Sequence, residues 1–353
     1  MKYVLYAFSG FFVLASALPY FKTDLWWVRI FDFPRVQIFL FSVVLLVVNI
    51  WQLKFDGVAP IIFTVLLALA LAHQAYMIAP FTPLYPKQAK SARRPHPDRS
   101  FRFMVSNVRM ENDNYDAYVA LVKKTDPDLL LVNEPDQVWA DHMRDLDAIF
   151  PHRVLRPLDN TYGMMLYSKL PLHETQVNYL VEEGIPSIHT LVELPSGNRF
   201  ELYCVHPTPP EIGSNTDDRD AELLIVGKRI EKSEYASMVA GDLNDVAWSY
   251  TTKLFQRISQ TLDPRVGRGF FNTYSAYVPF FRYPLDHVFY SAEFKLVHME
   301  RLEKFGSDHF PILIELNYEP HREHEQEVPA ADAEEEQEAR EKIRKPFEEK
   351  AKE

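Results

Sequence analysis

Val239-Ala240-Gly241-Asp242-Leu243-Asn244-Asp245 closes a short apolar run, 235–240, with the length and composition of a buried strand. The run stops at a glycine, and an aspartate and an asparagine two positions apart follow it. Side chains two apart on an extended backbone project to the same side, so Asp242 and Asn244 can both reach one phosphate or one attacking water. Taken alone, Gly-Asp-x-Asn also describes an ordinary strand-to-loop turn built from common turn residues.

Outward from this stretch, polar residues recur where other apolar runs stop. Asn107 closes Phe103-Met104-Val105-Ser106-Asn107, Glu134 closes Leu129-Leu130-Leu131-Val132-Asn133-Glu134, and His206 closes Leu202-Tyr203-Cys204-Val205-His206. Asp286 lies in Pro284-Leu285-Asp286-His287-Val288-Phe289, and Asp308 and His309 lie in Gly306-Ser307-Asp308-His309-Phe310-Pro311. Each alone reads as a cap or turn residue, but their recurrence at strand ends is hard to explain as turns. The hydrophobic pattern predicts strands at 101–106, 128–132, 162–168, 188–194, 199–205, 235–240, 285–290 and 310–317. It predicts helices at 115–125, 136–147, 217–234 and near 249–259. Such a mixture indicates an α/β sandwich.

The order and spacing of these motifs resemble the endonuclease/exonuclease/phosphatase superfamily, the deoxyribonuclease I-like enzymes, from about residue 101 to 316. Gly241-Asp242-Leu243-Asn244, Leu285-Asp286-His287 and Ser307-Asp308-His309 carry most of the likeness, and Tyr162-Gly163-Met164-Met165-Leu166-Tyr167-Ser168 is similar to a glycine-led strand of that family. Pro186-Ser187-Ile188-His189 and Trp248 look more like a bacterial membrane-anchored branch than any named enzyme. The resemblance implies a four-layer α-β-β-α sandwich and hydrolysis of a phosphate ester with Mg²⁺ or Mn²⁺, hard ions that take oxygen ligands. It implies Glu134 as the carboxylate ligand, with Asn107 and Asp308 beside the metal. Asp242 is the expected base or water-orienting group, Asn244 holds a phosphate oxygen, and His309 donates to a nonbridging oxygen. His206 acts near the leaving group, and Asp286 orients a catalytic histidine. Arg109 and His189 are expected phosphate contacts, the latter near where several members place an arginine. The sequence departs from the family at Ser106, where many members carry tryptophan, and at Asn133, where glutamine is frequent. Pro207-Thr208-Pro209-Pro210 stiffens the loop after His206.

In front of this region, residues 3–21, 36–53 and 58–80 are apolar stretches long enough to cross a bilayer. Trp26, Trp27, Tyr76 and Tyr85 fit aromatic belts at headgroup level. Lys2 and Lys54 fall on one side of a three-span topology, and Lys22, Arg29, Arg35, Lys87, Lys90, Arg93 and Arg94 on the other. This asymmetry places the N-terminus outside the cell membrane and the catalytic domain in the cytoplasm. The domains expected are a three-span region, 1–80, and a basic Pro-rich linker, 81–100, lying against headgroups. They are followed by a catalytic domain, 101–319, and a charged tail, 320–353, that is disordered or a solvated helix. Cys204, the single cysteine, reads as a buried thiol.

Charge bears on the substrate. Residues 101–320 carry 21 Lys and Arg against 33 Asp and Glu, a poor match to the basic surface with which nucleases usually bind long duplexes. Tethering at a bilayer favours a phospholipid headgroup or an isoprenoid phosphate over DNA or RNA, and a catalytically silent membrane scaffold is a further alternative. The bilayer is the one partner expected besides the substrate, and no protein partner can be inferred.

Overall fold

The computed structural model describes residues 2–52 and 57–352. Two sheets face each other. In the first, β1 (Ser100–Asn107) runs parallel to β2 (Leu129–Asn133), which pairs antiparallel with β4 (Met164–Ser168) and through it β3 (His152–Arg156). In the second, β5 (Leu172–Asn178), β6 (Ser187–Glu193) and β7 (Arg199–Cys204) form a meander, and β8 (Ser237–Asp242) runs parallel to β7. β9 (Asp286–Tyr290) closes the second sheet against β8, while β10 (Phe294–Arg301) and β11 (Ile312–Tyr318) return to the first, where β11 pairs with β1.

Alternation sets the layers. Phe101, Phe103 and Val105 of β1 point into the space between the sheets with Leu129 and Leu131 of β2 and Leu202 and Cys204 of β7. Met104, Leu130 and Val132 point the other way, under α5 (Tyr115–Thr125) and α6 (Gln137–His142). Tyr203 and Val239 pack under α7 (Asp217–Glu231) and α8 (Tyr250–Ser259) on the opposite outer face. The result is the expected four-layer α-β-β-α sandwich. β3, β5 and β10 were not expected from the sequence; β3 and β5 are outermost in their sheets and half-buried or exposed.

Three of four N-terminal helices are long and apolar enough to cross a membrane: α1 (Lys2–Ala17), α3 (Arg35–Gln52) and α4 (Val58–Ile78), while α2 (Trp26–Arg29) is a single turn. They are tied to one another by polar side chains: Asn49 donates to Ser9 Oγ at 2.9 Å and Gln74 to Ser16 Oγ at 3.0 Å. Lys54, used above for orientation, lies outside the described residues. Arg29 and Arg35 do not face headgroups: both are buried and paired with Asp32, at 3.1 and 2.8 Å.

The linker and tail differ from expectation in the same way: both pack on the sandwich. Phe81 packs edge-on against Trp248, Ala89 is buried in the inter-sheet core, and Ala92 N donates to Leu296 O beside β10. The tail forms α9 (Ala333–Lys350), opened by a capping box between Asp332 and Glu335. α9 buries Ala339 against Leu224, Leu254 and Ile258. Its Lys342 reaches both Asp24, between the first two spans, and Asp220 of α7, the latter at 3.0 Å. Composition hid this packing because α9 docks mainly through ion pairs. Lys342→Ala removes the cation that Asp24 and Asp220 share but leaves Lys345 on Asp24 and Arg219 on Asp220, and is expected to cost about 1 kcal/mol, read as a lowered thermal midpoint of the full chain in detergent.

Candidate active site

The candidate residues sit at one edge of the sandwich, where the parallel strands end and their antiparallel neighbours begin. Asn107 stands in register with Asn133, one residue before Glu134, and Asp242 with Asp286. Two glycines make the close approach possible. Gly241 has φ +146°, and a Cβ there would lie 1.8 Å from Val205 O, so only glycine lets β8 pass the end of β7. At Gly163 a Cβ would lie 1.9 Å from Pro135 O. Gly163 O accepts the Glu134 N–H at 2.8 Å, which fixes the turn that presents Glu134 with φ +64°.

The side chains converge. Asn107 Nδ2 donates to Glu134 Oε1 at 2.6 Å and to Asp242 Oδ2 at 3.1 Å, joining the two sheets. Asp242 Oδ1 accepts the Asn244 N–H at 3.0 Å, and Asn244 Nδ2 donates to Pro207 O at 2.9 Å. His309 Nδ1 lies 2.7 Å from Asp286 Oδ2, and its Nε2 lies 3.5 Å from Asp242 Oδ2. His206 Nε2 stands 3.9 Å from Glu134 and 4.0 Å from Asp242. Ser307 Oγ donates to Asn107 O at 2.8 Å and accepts the His309 N–H at 3.0 Å, which locks the last loop to the first strand.

Burial and charge act together. Burial pushes the Glu134 carboxyl up to about 7, with the Asp242 charge adding to the rise and the Asn107 amide opposing it. Burial alone would lower His309, but the Asp286 and Asp242 carboxylates outweigh it and raise the imidazole to about 10, so it is a cation at neutral pH. His206, buried without so close a carboxylate, is pushed down by burial and stays neutral. The donor set fits a hard divalent ion: oxygens of Glu134 and Asp242 and the His206 imidazole come within 4.8 Å of one another, with Asp308 lining the same cleft. Among the described residues that line the cleft, three carboxyl groups meet one cation, His309, and the raised Glu134 carboxyl reflects its burial and this crowding, which such an ion would relieve.

Of the residues singled out in the sequence, Asn107, Glu134, His206, Asp242, Asn244, Asp286, Asp308 and His309 are brought together. Arg109 stands at the rim, pairing with Glu111 at 3.3 Å and lying 6.0 Å from the Tyr277 ring. His189 is a correction. Its neighbour Ile188 faces the inter-sheet core, so alternation turns His189 outward, where it stacks on Tyr203 and pairs with Glu201 at 3.4 Å, away from the cleft.

Other residues were missed. Thr273 Oγ1 accepts the Asp286 N–H at 3.1 Å, and the Tyr274 ring lies 5.1 Å from that of His309. Arg219 donates to Asn244 O at 3.0 Å and pairs with Asp220 and Asp245. Ile30 and Phe33, between α1 and α3, line the same cleft of about 320 Å³. Nothing local marks these as site residues, since each arrives from a distant segment.

A family model described as the Endonuclease/Exonuclease/phosphatase family matches residues 104–309, more than half of the chain. The chain belongs to that family. Members of the endonuclease/exonuclease/phosphatase family are generally hydrolases acting on phosphoesters and use divalent metals. Solved structures share the fold at low identity. The human nocturnin catalytic domain with bound sulfate is 14% identical with a TM-score of 0.52, covering 64% of this chain and 96% of its own. A humanized D. rerio TDP2 carrying 14 mutations is 14% identical with a TM-score of 0.51, covering 62% and 99%. A functionally unknown conserved protein from Enterococcus faecalis V583 is 18% identical with a TM-score of 0.51, covering 62% and 100%. No curated protein sequence matches.

Proposed function

We propose that the protein is a membrane-anchored, divalent-metal-dependent phosphoesterase that hydrolyses a phosphodiester or phosphomonoester by in-line attack of water. The observation that carries this reading is the linkage Asp286–His309–Asp242–Asn107–Glu134, which joins both sheets across one cleft. Glu134, with Asn107 and Asp308 beside it, would hold Mg²⁺ or Mn²⁺, which supplies charge for the phosphoryl oxygens. Asp242 orients the water and takes its proton as the new O–P bond forms. His309, held charged by Asp286, donates from Nε2 to a nonbridging oxygen, and the amide of Asn244 is within reach of another. His206 stands near the leaving oxygen, which departs with the electrons of the broken P–O bond and takes a proton from solvent water. Positioning and preset charge of this kind supply most of the rate in phosphoryl transfer.

The full chain in detergent is expected to hydrolyse bis-p-nitrophenyl phosphate with Mg²⁺ or Mn²⁺ and to lose turnover in EDTA. Metal-independent turnover, or turnover of neither this diester nor p-nitrophenyl phosphate with either ion, sinks the reading. Nicking of supercoiled plasmid by the same protein in preference to small diesters would favour the nuclease alternative, against which the acidic domain counts. The retained basic flanks at Lys87, Lys90, Arg93 and Arg94 favour the domain lying in the cytoplasm. A C-terminal alkaline phosphatase fusion, active only in an oxidising compartment, is expected to stay inactive, and activity there overturns that side.

A further inference from the structure

Part of the lining of the cleft comes from the segment that joins the first two candidate spans. Ile30, half exposed, and Phe33 lie between the first two spans, and Phe33 is two residues before α3 begins. Phe33 packs edge-on against Tyr283 at 5.7 Å, and Leu285 and Tyr274 continue the apolar wall. Beside it the segment 277–281 exposes Tyr277, Val278, Phe280 and Phe281, four large apolar side chains within five residues, where water-facing loops rarely carry such a patch.

This segment meets the spans directly. Gln37 of α3 donates to Phe280 O, and the Phe280 ring lies 5.9 Å from Phe41. Phe41 is six residues into α3, about 9 Å along its axis, so Phe280 reaches past the level where the span starts. The same segment is bonded to the catalytic loop: Ala276 N donates to Asp308 O at 2.6 Å, and Tyr277 OH donates to Gly306 O. The site and the membrane-facing aromatic loop therefore form one unit.

We propose that Ile30, Phe33 and the 277–281 loop form an apolar-chain subsite, and that the substrate is a phosphate ester on a long hydrocarbon chain, drawn sideways from the adjoining leaflet. The proposal rests on the phosphoesterase reading above. An amphiphile fits where a nucleic acid does not. Its single phosphate needs no basic track across an acidic domain, and its chain has apolar wall to follow, whereas a polymer laid over the cleft would meet the bilayer.

The test compares p-nitrophenyl hexadecyl phosphate with p-nitrophenyl methyl phosphate, which share a leaving group, on the full chain in detergent micelles. kcat/KM is expected to be about 100-fold higher for the hexadecyl diester, the effect of burying three or four methylenes. Ile30→Ser and Phe33→Ser are expected to cut the ratio of the two values at least about ten-fold, and Phe33→Leu to restore it. Equal kcat/KM for the two diesters overturns the subsite, as does a ratio that neither serine variant changes, which would mark partition into the micelle alone. Should the variants fail to fold, the unmodified chain still decides: hexadecyl phosphate must inhibit methyl-diester hydrolysis far better than methyl phosphate, and equal inhibition overturns the proposal. Hydrolysis of neither diester overturns the subsite, and failure to hydrolyse p-nitrophenyl phosphate as well overturns the phosphoesterase reading itself.

Discussion

Asp242→Ala is expected to lower kcat on bis-p-nitrophenyl phosphate by about 10³-fold or more, in the range for loss of a positioned base. The carboxylate is the hub of the site: Asn107, His309 and the backbone of Asn244 all address it. Its removal therefore strips the water of its acceptor and His309 of one of its two counter-charges. Asp242→Asn keeps volume and an acceptor but not basicity, and should fall nearly as far. The thermal midpoint should hold or rise, because a buried anion among other carboxylates is removed. An asparagine variant near wild-type activity would assign the base elsewhere.

His309→Ala is the second large effect, a fall in kcat of about 10² to 10³-fold, as for loss of one preset donor to a transition-state oxyanion. The loss should fall on kcat rather than KM, since a preset donor fits the nonbridging oxygens as the phosphoryl group rearranges in the transition state and not as it binds. Asp286 is fully buried and touches the imidazole, not the cleft. Asp286→Asn should accordingly lower kcat by a smaller factor with KM little changed. A rise in KM with kcat unchanged for His309→Ala would indicate ground-state binding instead.

The central strands and their polar ends were legible because β1, β2, β7 and β8 are buried on both faces and stop abruptly at Asn107, Glu134, His206 and Asp242. β3 and β5 were not, because edge strands such as His152–Arg156 and Leu172–Asn178 carry half-buried or exposed, mostly polar side chains and lose the apolar signal. The tail is a helix, one of its two expected forms, but its seat on α7 and α8 does not show in the sequence for a related reason: a helix held through Lys342, Glu335 and Ala339 looks solvated when composition alone is counted. His189 failed on phase, since its position near a family arginine says nothing of which face of β6 it occupies. Ile30 and Phe33 look like part of an anchor in the sequence; the bond from Trp248 Nε1 to Asp32 O at 2.7 Å and the Phe33–Tyr283 contact bring that segment to the cleft.

That indole contact has a practical consequence. Excising the sandwich at residue 100 would leave Trp248 stripped of both the Asp32 carbonyl and the Phe81 ring, and would take away one side of the cleft. A water-soluble fragment would thus differ from its parent in the shape of its catalytic chamber, not only in its address. Screens for small-molecule turnover run on such a fragment would sample a different specificity from the one the intact polypeptide possesses.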